Sequence, residues 1–130
     1  MTPTQLGRVQ LLIMQVLWQK KTATAREITD VIGQLEPIAH STVQTLLRSL
    51  EDKGAISHST QGRTFVFTPL IRESEFQTSA TRDLLNRVFR GKPEQLVAHL
   101  LDSETLSANE LDEIRKLIDR STQERGGHDA

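Results

Sequence analysis

Apolar residues recur along this chain with two different periods, and the change of period divides it. From Leu6 to Trp18, the positions Val9, Leu12, Ile13, Val16 and Leu17 share one face at helical spacing, which predicts a first helix. Thr24 and Glu27 form a T-x-x-E capping box that opens a second helix. Its apolar face is Ile28, Val31, Ile32 and Leu35. Pro37 ends that segment, because the residue before a proline avoids the helical region. A third helix follows in AHSTVQTLLRSLEDKGAI, with Val43, Leu46, Leu47 and Leu50 as its buried stripe and Gly54 as its stop.

After Gly54 the period becomes two. AISHST and RTFVFT flank Gln61-Gly62, and β-branched and aromatic residues around a two-residue glycine turn predict a β-hairpin closed by Pro69. Phe65 and Phe67 then fall on one face, where both are expected to pack into the core. Three helices and a hairpin in about 70 residues fit a winged helix-turn-helix. Beyond it the helical period returns. A long helix over Glu73–Arg90 carries Ala80, Thr81, Leu84, Leu85, Val88 and Phe89 inward and stops at Gly91. Pro93 opens the next helix, with the stripe Leu96, Val97, Leu100 and Leu101. Ser107 and Glu110 cap a last helix carrying Leu111, Ile114, Leu117 and Ile118. The predicted fold class is mainly α with a small β-hairpin. A winged helix-turn-helix at 1–70 precedes a C-terminal helical region at 71–120, and the polar stretch 121–130 is expected to be a disordered tail.

The apolar residues of the C-terminal region lie on three helices, too few to close a core of their own. Leu84, Leu85, Val88, Phe89, Leu96, Val97, Leu100, Leu101, Leu111, Ile114, Leu117 and Ile118 are therefore assigned to dimerisation with a second copy.

Charge separates the same two parts. Residues 1–70 carry seven Lys/Arg against five acids, and residues 71–130 carry nine against twelve. The whole chain has a net charge of −1, so it is not a basic nucleic-acid binder by composition. It contains no cysteine, which excludes disulfides, thiolate metal sites and a thiol nucleophile. No apolar run reaches membrane-spanning length and no signal peptide is evident, so a soluble cytoplasmic protein is expected. The histidines at 40, 58, 99 and 128 are scattered, without a partner at metal spacing. There is no glycine-rich phosphate loop and no nucleophile elbow. No metal, cofactor or catalytic residue is assigned, and an enzyme is not expected.

The third helix carries the most informative chemistry. Ser41, Gln44, Thr45 and Arg48 lie opposite its buried stripe, and no acid occurs on it before Glu51. A phosphate-lined groove favours such a face. Gln suits adenine edges, Arg suits guanine edges, and Thr offers a methyl to thymine. Ser41-x-x-Gln44 is also a capping box, which would occupy Ser41 and leave Gln44 as cap partner or base reader. Arg63 beside the hairpin turn can reach a phosphate or a minor groove. Thr24, at a helix start, is a further candidate for phosphate contact, and His40, at the start of the third helix, for contact with phosphate or base.

IMQVLW, TAREI, HSTVQTLLRSLEDKGAI, GRTFVFTP, LLNRVFRG, QLVAHLL and LSANELDEIRKLI, in this order and spacing, resemble the penicillinase-repressor family of the BlaI, MecI and CopY type. The resemblance spans about Leu6 to Ile118. It implies a homodimeric, sequence-specific transcriptional repressor acting on inverted-repeat operators. It places DNA contacts at Ser41, Thr42, Gln44, Thr45 and Arg63. Two positions depart from the family pattern: a basic residue near the start of the third helix is Ser41 here, and a basic reader is Gln44. The copper-responsive branch uses C-terminal cysteines, which this chain lacks. In the β-lactam branch the resemblance implies relief of repression by proteolysis of the dimerisation region through a membrane-bound sensor metalloprotease; the family's Asn-Phe cleavage bond falls here at His99–Leu100 and is not preserved. That bond lies in an apolar stripe where Leu100 is expected to be buried.

Overall fold

The computed structural model describes residues 5–126. Its elements run α1 (Arg8–Lys20), β1 (Ala23–Thr24), α2 (Ala25–Gly33), α3 (His40–Asp52), β2 (Ile56–Gln61), β3 (Thr64–Pro69), α4 (Glu73–Val88), α5 (Pro93–Ser103) and α6 (Ala108–Gly126). The chain divides into two compact units after Leu84.

In the first unit, α1, α2 and α3 close over one core. Ile13, Met14, Leu17, Ile28, Ile32, Val43, Leu47 and Leu50 supply its helical part. These are the i, i+3, i+4 positions that removal from water selects. α1 is tied to α3 by a polar link as well. Gln10 is buried, its Oε1 accepts from the Gly7 N–H at 3.0 Å and from Lys53 Nζ at 3.3 Å, and its amide donates to Ser49 Oγ at 3.2 Å. A buried amide needs such partners to offset its desolvation. Gly54, at φ +78°, turns the chain out of α3 in a conformation that a side chain would strain.

The hairpin pairs Ile56 with Pro69 through Gln61 with Thr64, in antiparallel register. The two-residue turn is therefore Gly62-Arg63, one residue later than the sequence pattern suggested, with Gly62 at φ +65°. A third strand, β1, joins this hairpin in the order β1-β3-β2 through the pairs Ala23↔Phe67 and Thr24↔Val66. Phe67 enters the core, but Phe65 is half exposed and does not. Its ring stacks on His58 at 4.0 Å instead.

The core extends past the hairpin. Ile71 and Phe76 are buried. Trp18 Nε1 donates to the Ile71 carbonyl at 2.9 Å, and its ring lies 5.8 Å from that of Phe76. The start of α4 thus belongs to the first unit, beyond the sequence-based boundary at residue 70. Leu35 lies past the end of α2 and is exposed, although its spacing had placed it on the apolar face.

The second unit holds the end of α4 with α5 and α6. Ser107 and Glu110 cap α6 reciprocally, at 2.9 and 3.0 Å. No described residue after Leu84 is fully buried. α6 continues to Gly126, so residues 121–126 of the expected disordered tail are helical and 127–130 lie outside the described residues. Propagating an existing helix adds one bond per residue fixed, and STQER contains good helix formers, so an apolar stripe is not required.

Candidate nucleic-acid interface

Between α3 and the hairpin lies an open groove of about 730 Å³. One wall is α3, which contributes His40, Gln44, Leu47, Arg48, Glu51 and Asp52. These recur at intervals of three and four, so they form one strip of the helix. The start of α2 contributes Thr24, Ala25 and Arg26. The hairpin contributes His58, Arg63, Thr64, Phe65 and Phe67.

Local bonds set what each side chain can offer. Thr24 and Glu27 form the reciprocal cap. The Glu27 N–H donates to Thr24 Oγ1 at 3.1 Å, and Glu27 Oε1 accepts from the Thr24 N–H at 2.9 Å. That backbone donor, with the Thr24 hydroxyl, holds the Glu27 carboxyl below its ordinary range. At α3 the expected Ser41–Gln44 capping box does not form. The helix starts two residues earlier, at His40, the N-cap is Ala39, and no side chain caps it. Ser41 and Gln44 are consequently exposed and not engaged in capping. Thr45 donates its hydroxyl to the Ser41 carbonyl at 3.0 Å, which leaves its methyl and an acceptor lone pair outward.

His40 is held from beneath by Thr29, whose Oγ1 lies 2.8 Å from the ring Nδ1. His58 Nδ1 lies 2.7 and 2.9 Å from the two oxygens of Glu51. An ionised carboxylate only accepts, so the ring donates, and the Glu51 charge is directed at the hairpin. Arg26, Arg48 and Arg63 are exposed, and among the described residues none of their guanidinium groups has an ion-pair or hydrogen-bond partner.

Of the candidate contact residues, Thr24, His40, Gln44, Arg48 and Arg63 line the groove together. Ser41, Thr42 and Thr45 do not; they are exposed on the adjoining strip of α3. Arg26, His58 and Phe65 join the lining without having been singled out. Arg26 carried a readable signal, since it lies two residues after the Thr24 cap and points with that helix start. His58 and Phe65 become one feature only when β2 and β3 pair. No cluster of three or more metal-ligating side chains occurs among the described residues.

A family model described as penicillinase repressor matches residues 6–120. The chain belongs to the penicillinase repressor family. The penicillinase repressor of Bacillus licheniformis is 30% identical over 115 residues, covering 88% of this chain and 90% of that one. The methicillin resistance regulatory protein MecI of Staphylococcus aureus (strain N315) is 28% identical over 108 residues, covering 83% and 88%. Among solved structures, the DNA binding domain of the repressor BlaI matches with a TM-score of 0.51 at 32% identity, over 57% of this chain and 90% of that chain. The hsRosR-S4 complex shares the fold, with a TM-score of 0.53 at 16% identity. Membership of the penicillinase repressor family makes this chain a repressor rather than an enzyme.

Proposed function

We propose that the protein is a homodimeric transcriptional repressor that binds inverted-repeat operator DNA through α3 and the hairpin. The observation that carries this reading is the groove itself. It gathers Gln44, Arg48 and Arg63 with the starts of α2 and α3, in a unit similar to the DNA binding domain of BlaI. Three unpartnered guanidinium groups suit a phosphate backbone, which supplies most of a duplex binder's affinity. Ser41, Thr42, Gln44 and Thr45 form the outer surface of α3, the part of such a helix that meets base edges. The first unit is the DNA-binding domain on this reading. Titrating salt against binding to duplex DNA tests it. About six neutralised phosphates per dimer give a log–log slope near −5. A slope near zero would favour a winged-helix protein-interaction module without DNA binding.

The second unit is the dimerisation domain. Val88, Val97, Leu100, Leu101, Leu111, Leu117 and Ile118 are between 40% and 63% exposed, as is Leu84 at the end of the first unit. Leu85, Phe89, Leu96 and Ile114 are only partly covered. So much exposed apolar surface on three helices favours a second copy as cover.

Repression is relieved by cutting this unit, and the cutting partner is a membrane-bound sensor metalloprotease. No described helix of the repressor itself is long and apolar enough to cross a membrane, and the cytoplasm is the assigned compartment. The bond proposed for cleavage, His99–Leu100, lies inside α5. Leu100 is half exposed in the single chain rather than buried. The His99 carbonyl accepts from Ser103 Oγ at 2.6 Å, so α5 must open locally before that bond is cut. Following the intact chain in its host through induction tests the model. A new N-terminus at residue 100 supports it, and derepression with the full-length chain still present sinks it.

A further inference from the structure

Thr29 was not a candidate contact, yet it is one of two buried polar residues among the described residues, only 7% exposed. Its Oγ1 has two neighbours at 2.8 Å, the Ala25 carbonyl and His40 Nδ1. A threonine hydroxyl has one hydrogen, and a carbonyl can only accept. The hydrogen is therefore given to Ala25, which leaves Oγ1 as an acceptor toward the histidine. Nδ1 must then carry the ring proton. Were the ring in its other neutral tautomer, either Nδ1 or the Ala25 oxygen would face Oγ1 at 2.8 Å with no hydrogen between them. One ring nitrogen is thus used inward, and in the neutral imidazole the other, Nε2, is a bare acceptor on a ring that lines the groove.

We propose that Thr29 is a positioning residue that fixes the tautomer of His40, and that His40 thereby selects an exocyclic amino group of adenine or cytosine in the operator's major groove. This rests on the DNA-binding reading above. Phosphate oxygens are acceptors and do not match a bare Nε2. Guanine N7 and O6 and thymine O4 do not match it either. The amino groups N6 of adenine and N4 of cytosine are the donors that a major groove displays. Other groups lining the groove are complementary to different partners. Arg26, Arg48 and Arg63 only donate, while Glu51 and Asp52 carry charge that phosphates repel, and His58 is engaged by Glu51. His40 Nε2 is accordingly the ring acceptor at the start of α3, beside the Gln44 amide, which can both donate and accept.

Two measurements on the full-length protein test the proposal. Nitrogen-15 spectra of the imidazole rings report the tautomer without DNA. His40 should show protonated Nδ1 and unprotonated Nε2 in the wild type and in Thr29→Ser, which keeps the hydroxyl. Thr29→Val should lose that pattern. A wild-type ring protonated at Nε2 alone overturns the wiring. The second measurement is selection of binding sites from random duplex DNA by each variant. The wild type should prefer adenine or cytosine at one position per half-site, by about three- to tenfold. His40→Ala should lose preference at that position alone, Thr29→Val should weaken it there, and Thr29→Ser should restore it. Selected sites identical in wild type and His40→Ala overturn the base contact while leaving DNA binding intact. A wild-type chain that enriches no sequence overturns the DNA-binding reading and this contact with it.

Discussion

At the scale of single residues, the groove separates side chains that hold position from those free to bind. Arg63 sits in a two-residue turn with nothing buried to lose. Arg63→Ala should leave the melting temperature unchanged, weaken duplex binding by roughly 1 kcal/mol, and lower the salt slope by about one unit per arm. Equal affinity of variant and wild type at two salt concentrations would remove the hairpin from the interface. Gln44 and Thr45 make a different case. Gln44 is released from capping, and Thr45 has spent its hydroxyl hydrogen on Ser41, so it meets a base only through its methyl or a lone pair. Gln44→Ala and Thr45→Ala should therefore change sequence preference, each base contact being worth about 1–3 kcal/mol of discrimination. Binding to operator variants and to random duplex distinguishes the outcomes, since a uniform loss over all sequences would make these residues positioning groups only.

At the scale of elements, caps and long-range docking contribute separately to stability. Three carboxyl groups of the first unit are held below their ordinary value of 4.5, Glu27 by the Thr24 N–H, Glu36 by the Arg8 guanidinium and Glu75 by the Arg72 N–H. A group whose folded pKa is depressed stabilises fully above the unfolded value and loses that contribution as pH falls through the folded one. The melting temperature should consequently fall on acidification from about pH 6 to pH 3, and Glu27→Gln with Glu36→Gln should flatten that fall. An acid limb of unchanged steepness in the double variant would assign it to other groups. Phe76→Ala, which empties the contact with Trp18, should cost about 3 kcal/mol. The caps at Thr24 and Ser107 were legible in the sequence because each is written in four consecutive residues. So were the helix stripes and the hairpin, where period alone identifies the element. Strand β1 was not, because two residues carry no period and its partner is more than forty positions away. Thr29 and Phe76 were missed for a related reason. Each owes its place to a residue on another element, and Leu35 was misplaced because a helical pattern does not reveal that the helix has already ended. On α3 the face was readable, but the N-cap lies two residues earlier than the Ser41 box implied, and that offset alone decided whether Ser41 and Gln44 were caps or free.

At the scale of the whole molecule, the two units make different demands. The first has a closed core that takes in Ile71 and Phe76, so a fragment ending at residue 70 would lack part of it, while one ending at Leu84 keeps it. Fragment 1–84 should fold and sediment as a monomer, and the full chain as a dimer. A dimeric fragment would move the interface into the winged unit. Operator affinity should follow the same division, because two linked arms gain from effective concentration and a single arm does not. The packing of Trp18 has a further, optical consequence. The chain has one tryptophan and no tyrosine. Its near-ultraviolet emission therefore arises from a single indole, lodged against Phe76 and bonded to the Ile71 carbonyl. Fluorescence will report the melting of the winged unit and remain blind to the second, whereas far-ultraviolet dichroism sees the helices of both. Two midpoints that separate on dilution would read the dissociation of the pair and the unfolding of the arm in one experiment, with no label added.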